Sequence, residues 1–149
     1  MQITWICVPF ENLTLRQLYA VLRLRIEVFI VEQNCPFQDA DNKDSEGYHL
    51  MGWNNDMLAA YTRLLPPGTS YTEPSIGRVV TSSEARSTGI GRELMQRSIR
   101  ECERLFGRTP VRIGAQLYLK TFYESHGFKQ DSDVYDEDGI DHIEMILTY

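Results

Sequence analysis

One stretch, Ser75 to Arg104, limits what this chain can fold into. Ile76, Val79 and Val80 read as a buried strand. A polar turn follows, and Arg86-Ser87-Thr88-Gly89-Ile90-Gly91-Arg92 opens a long helix. Its apolar face is Ile90, Leu94, Met95, Ile99, Cys102 and Leu105, at three- and four-residue steps. A strand that gives way to a helix through glycines leaves backbone N–H groups unpaired at one spot. Those donors, the helix dipole and two flanking arginines suit a phosphate-bearing ligand. Neither nucleotide loop fits: a Walker loop needs Lys where Arg92 stands, and a dinucleotide fingerprint needs a third glycine where Leu94 stands. A glycine-bearing helix entry without a ligand is the plainer alternative.

At 149 residues the chain has the length of one domain with a substantial core. Its 42% hydrophobic and 24% charged content is that of a globular protein. No run of about 18 apolar residues suggests a membrane span. Met1 to Val8 reads as a first strand, not a signal peptide, so a cytoplasmic location is the default expectation. The net charge of −6 argues against a general nucleic-acid binder. Cys7, Cys35 and Cys102 form neither a disulfide framework nor a zinc motif and read as packing residues or stray thiols.

Upstream, Gln2 to Val8 is a strand ended by Pro9. Thr14 is an N-cap, Gln17 completes a capping box, and Leu13 is placed to staple onto Leu18. The helix that follows runs to about Gln33, with a break expected near Val28. Asp39, Asp41 and Asp44 resemble the start of a calcium loop, but Asp44 and Leu50 stand where its glycine and glutamate belong. A solvated loop or a rim on the substrate side is expected there. Gly47–Trp53 and Met57–Leu65 pair around Asn54-Asn55-Asp56. Downstream come a strand at Val111–Leu117, a short helix at Leu119–Ser125, and two strands, Phe128–Val134 and Ile140–Leu147, around Asp138-Gly139. The order predicts a single-domain α/β (α+β) protein.

A second local signal is Tyr123-Glu124-Ser125-His126-Gly127-Phe128, a tyrosine one turn before a glycine stop and a strand. With the earlier Arg-x-x-Gly-x-Gly, it resembles the GNAT N-acetyltransferase superfamily. The order of elements fits that fold along nearly the whole chain. Four further strings are similar to the ElaA-type branch: Leu24 to Gln33, Cys35 to Asp39, Arg63 to Gly68, and Ile76 to Val80.

The resemblance implies a mixed, mostly antiparallel sheet flanked by helices, and acetyl-CoA as co-substrate with no metal. Val79, Val80 and Thr81 fall on the strand that pairs with the pantetheine arm, where an amide faces the thioester carbonyl. Arg86, Ser87, Thr88, Gly89, Ile90, Gly91 and Arg92 fall on the pyrophosphate loop. Tyr123 matches the tyrosine that protonates the departing thiolate. Gln116 stands where many relatives carry asparagine. Val111 replaces a glutamate base of some relatives, and Ser75 is nearest to the base position of others.

The general base is therefore open among Glu32, Glu73 and His49, since an amine must lose a proton before it attacks. The expected activity is direct acetyl transfer to a primary amine of a small molecule or peptide, with no nucleic-acid or membrane partner. A cationic acceptor such as a polyamine or lysine is compatible with the Asp39–Asp44 carboxylates, and a homodimer is compatible with the superfamily. The alternative is a non-catalytic acyl-CoA-binding or sensing module on the same fold.

Overall fold

The capping box at the first helix forms as the sequence requires. In the computed structural model, which describes residues 2–149, Thr14 Oγ1 accepts from the Gln17 amide at 3.1 Å. Gln17 Oε1 accepts in return from the Thr14 amide at 2.9 Å. Helix α1 (Leu15–Arg25) does not break near Val28. It widens from Ile26 to Glu32 into a π-helical segment, whose bonds run from the Gln33 amide to the Val28 carbonyl and from Cys35 to Ile30. Ile26, Val28, Ile30 and Val31 are β-branched and crowd α-helical geometry, which the wider turn relieves.

Among the described residues eight strands make one sheet: β1 (Thr4–Pro9), β2 (Tyr48–Asn54), β3 (Met57–Leu65), β4 (Ser75–Thr81), β5 (Val111–Gln116), β6 (Phe128–Gln130), β7 (Tyr135–Glu137) and β8 (Ile140–Leu147). Their order is β1-β2-β3-β4-β5-β8-β6, with β7 also on β8. Every pairing is antiparallel except β4 with β5, which are parallel and meet only at Ser75 and Arg112. Beyond that pair the two strands diverge. The V they leave, between Thr81 and Gln116, is the feature that positions the site.

A bulge sharpens the divergence. Tyr61 faces Val80 but Arg63 faces Gly77, so two residues of β4 oppose one of β3, and Arg78 takes a left-handed φ of +51°. Helix α2 (Ile90–Phe106) covers one face of the sheet with Ile90, Leu94, Met95 and Cys102, packed on Leu64, Ile76 and Ala60. Helix α1 covers the other with Val21 and Leu24, packed on Met51, Tyr61 and Val80. A short helix α3 (Lys120–Glu124) stops at Gly127, whose φ is +97°.

The segment from Phe128 to Val134 is not one strand. Gln130 faces Met145 and Tyr135 faces His142, five residues of advance against three, so β6 and β7 flank a wide bulge. Ser132 Oγ accepts the Glu144 amide there at 2.8 Å and keeps that donor satisfied. The Asp138-Gly139 turn joins β7 to β8 with φ of +54° and +81°. No helix among the described residues is long and apolar enough to cross a membrane.

Candidate active site

The open end of the V is a cleft of about 850 Å³. Val79, Val80 and Thr81 form one wall and Ile113, Gly114 and Gln116 the other, with Val28, Phe29 and Glu32 of the π segment over the mouth. Diverging strands have edge amides and carbonyls without sheet partners, so the walls offer main-chain hydrogen bonds to an extended ligand. Tyr123 lies in the cleft at 6% exposure, its ring between Phe122 and Phe128 at centroid distances of 5.2 and 6.1 Å. Burial pushes its phenol well above the ordinary value and the neighbouring Tyr118 adds to this, so the hydroxyl keeps its proton at neutral pH.

Arg86 marks where the cleft meets the glycine loop. Its guanidinium donates to the Thr81 carbonyl at 3.3 Å and pairs with Glu32 at 2.9 Å. The turn from Ser87 to Arg92 then runs as an open shelf beside the cleft. Ser87 has φ +69° and Gly89, the helix N-cap, φ +84°. The first α2 hydrogen bond goes from Glu93 to the Gly89 carbonyl, so the amides of Gly89 to Arg92 precede it and have no helical acceptor. A Cβ on Gly91 would meet nothing within 4 Å. Seventeen residues of helix stand behind this shelf, with the positive end of the dipole toward it.

The three candidate bases separate. Glu32 lines the cleft but is held by Arg86. Glu73 is not in the cleft: it lies beside the closed end of the V, on Arg112 at 3.0 Å, which also pairs with Asp131 and Glu144. His49 is buried on β2 away from the cleft, between the Tyr61 hydroxyl at 2.6 Å and the Asp44 carbonyl at 2.9 Å. Burial lowers its pKa against the partial offset of Asp44.

The aspartate loop is not solvated but forms a largely buried ion network, and of Asp39, Asp41 and Asp44 only Asp41 lines the cleft. Arg25, with no exposed surface, donates to Asp39 Oδ2 at 2.9 Å and Asp44 Oδ1 at 2.8 Å. Arg63 donates to Asp41 and Asp44 at 2.8 and 2.9 Å. Arg78, from the bulge, meets Asp39 at 2.9 Å and Asp41 at 3.3 Å. The Arg78 Nε contact to Asp39 Oδ1 is misaligned for a hydrogen bond and acts as charge alone. Burial by itself would raise the Asp44 pKa, but the hydrogen bonds and charges of Arg25 and Arg63 outweigh it and hold the carboxyl below its ordinary value. Three arginines neutralise three aspartates, so these carboxylates are not free to hold a cationic acceptor.

Two cleft residues carry no signal in the sequence. His142 on β8 and Glu137 on β7 meet across the last hairpin, Nε2 to Oε2 at 3.3 Å, and both line the cleft. Cys35 Sγ donates to the Asp138 carbonyl at 3.3 Å and ties the end of the π segment to the same hairpin turn.

The comparisons with known proteins agree with this layout. A family model described as an acetyltransferase (GNAT) domain matches residues 23–149. The chain belongs to the GNAT acetyltransferase family. Protein ElaA of Escherichia coli is 43% identical over 145 residues, 96% of this chain and 95% of that one. Among solved structures, an acyl-CoA N-acyltransferase from Pseudomonas aeruginosa superposes with a TM-score of 0.94 at 45% identity, covering 99% of this chain and 100% of that one. The crystal structure of E. coli ElaA gives 0.91 at 41%, covering 98% and 99%. The GNAT fold is thus shared along essentially the full length, and members of this family use acyl-CoA and act on amines.

Proposed function

We propose that this chain is an acetyl-CoA-dependent N-acetyltransferase, in which a primary amine attacks the thioester directly in a ternary complex. The observation that carries the reading is Tyr123, a buried phenol in the same cleft as the unpaired edges of β4 and β5. The amides of Gly89 to Arg92 and the Arg86 guanidinium take the pyrophosphate. The pantetheine arm runs along Val79, Val80 and Thr81, where a main-chain amide stabilises the oxyanion of the tetrahedral intermediate. Gln116 stands across the cleft from them, near Gln33.

Tyr123 then supplies the proton that the sulfur needs. Burial disfavours a phenolate, and it disfavours a thiolate in the same site as well, so desolvation acts on both ends of the transfer. Nothing in the cleft requires an acyl-enzyme: Cys35, the cysteine on its wall, is directed at the Asp138 carbonyl. In Tyr123→Phe, kcat with acetyl-CoA and an amine is expected to fall by about 10²- to 10⁴-fold, with acetyl-CoA affinity unchanged. Undiminished turnover would remove the assigned role and favour an acyl-CoA-binding module that makes no use of the phenol.

A further inference from the structure

The geometry points to His142, with Glu137 behind it, as the base that takes the proton from the acceptor amine; this rests on the acyl-transfer reading above. Side chains alternate along β5. Ile113 and Ala115 enter the core shared with Tyr123, whereas Gly114 and Gln116 face the other way. His142 is the register partner of Gln116 and so stands on that second side. Tyr123 and His142 therefore flank the end of β5 from opposite faces of the sheet, and both reach the cleft. Acyl transfer uses two proton-handling groups, one at the attacking nitrogen and one at the departing sulfur, and the two side chains stand apart to serve them.

The ring is held for the task. Its Nδ1 lies 2.8 Å from the Ile140 carbonyl oxygen and so carries a hydrogen, which leaves Nε2 to accept a proton. Tyr135 stacks on the ring at 5.9 Å between centroids. Gly114 makes room for this packing, since a Cβ there would meet the Tyr71 and Tyr135 hydroxyls at 2.9 and 3.2 Å. His142 is 7% exposed, but the Glu137 side chain is 58% exposed and stands between Nε2 and water.

Asp138, at the hairpin turn, also lines the cleft but is in no ion pair with the ring, and three further carboxylates are matched by arginines. Glu144, next on the same face, is on Arg112; across the cleft Glu32 is on Arg86, and Asp41 is on Arg63 and Arg78. Glu137, at 3.3 Å, is the carboxylate in contact with Nε2 and answers a proton there. In the step, an ammonium gives one proton to Nε2, which passes it by way of Glu137 to water. The neutral amine forms the C–N bond to give the tetrahedral intermediate, which collapses with cleavage of the C–S bond; Tyr123 protonates the thiolate, and the second nitrogen proton returns to the tyrosinate through solvent. One proton is released per turnover.

The test compares two probe nucleophiles with acetyl-CoA: phenethylamine, an ammonium at neutral pH, and hydroxylamine, largely unprotonated there. The expected result for His142→Gln is a loss of about 100-fold with phenethylamine, while hydroxylamine turnover and acetyl-CoA affinity stay close to wild type. Free imidazole is expected to restore phenethylamine turnover to His142→Ala. Equal losses with both nucleophiles, or no rescue of His142→Ala by imidazole, would overturn the role of His142 and leave acyl transfer standing. A wild-type protein that binds acetyl-CoA but acylates neither probe would overturn both.

Discussion

Replacing Arg25 with methionine removes the one side chain that, among the described residues, joins Asp39 to Asp44 from inside the fold. Its guanidinium is fully buried, and Asp39 and Asp44 are 5% and 14% exposed. Without it two arginines face three carboxylates. Breaking a buried ion pair by removing one partner costs about 3–5 kcal/mol. Arg78 still meets Asp39 and Arg63 still meets Asp44, each at 2.9 Å, which puts the expected loss at the lower end, about 3 kcal/mol. For a chain of this size that is roughly 6–12 °C in Tm, read by thermal unfolding at neutral pH.

The pH dependence has a definite sign. Asp44 is held below its ordinary value in the folded state, so its contribution is complete above about pH 4 and is lost as pH falls through the folded value. The gap between wild type and Arg25→Met is therefore expected to narrow in acid. Adding Asp44→Asn to Arg25→Met is expected to cost less than the sum of the two single changes. A Tm within about 2 °C of wild type, or strict additivity of the pair, would show that the network is not a coupled unit.

Gly91→Ala adds a Cβ that touches nothing in the free protein and replaces a helical glycine. Stability is expected to rise by about 0.5–1 kcal/mol while acetyl-CoA affinity falls roughly tenfold, about 1.4 kcal/mol. Thermal unfolding and calorimetric titration read the two opposite changes. Glu32→Gln breaks a pair whose side chains are 35% and 41% exposed. Such a pair contributes about 0–1 kcal/mol, so Tm barely moves and kcat/KM falls by less than about tenfold; a loss near 100-fold would make Glu32 the base.

The glycine shelf and the cleft tyrosine were legible because they are local. Gly89 and Gly91 with Arg86, and Tyr123 before Gly127, each sit within one short string whose chemistry can be read without knowing what lies across the cleft. The strand-to-helix order was legible for the same reason: capping at Thr14, alternation in β2 and β3, and Asp138-Gly139 at the last hairpin are nearest-neighbour signals. Glu73 and His49 were not separable from Glu32 in sequence, because only the divergence of β4 and β5 decides which acids face the opening.

The solvated-loop alternative for the aspartates failed for a physical reason. A run of acids in a loop has the composition of a solvated segment, and its neutralisation comes from α1, β3 and β4. Arg25, Asp39, Arg63 and Arg78 each belong to one of the four strings that are similar to the ElaA-type branch. What made those strings chemically opaque one at a time is that their side chains answer one another, not a ligand. His142 and Glu137 were hidden likewise, since their meeting depends on the register of β7 with β8.

The central claim is direct transfer from the thioester to an amine, and initial-rate kinetics of thiol release tests it most directly. With acetyl-CoA and a primary amine varied together, the account predicts amine-dependent thiol release and double-reciprocal lines that intersect, as a ternary complex requires. Parallel lines would mean an acyl-enzyme intermediate and contradict the account, as would binding of acetyl-CoA with no amine-dependent release of thiol.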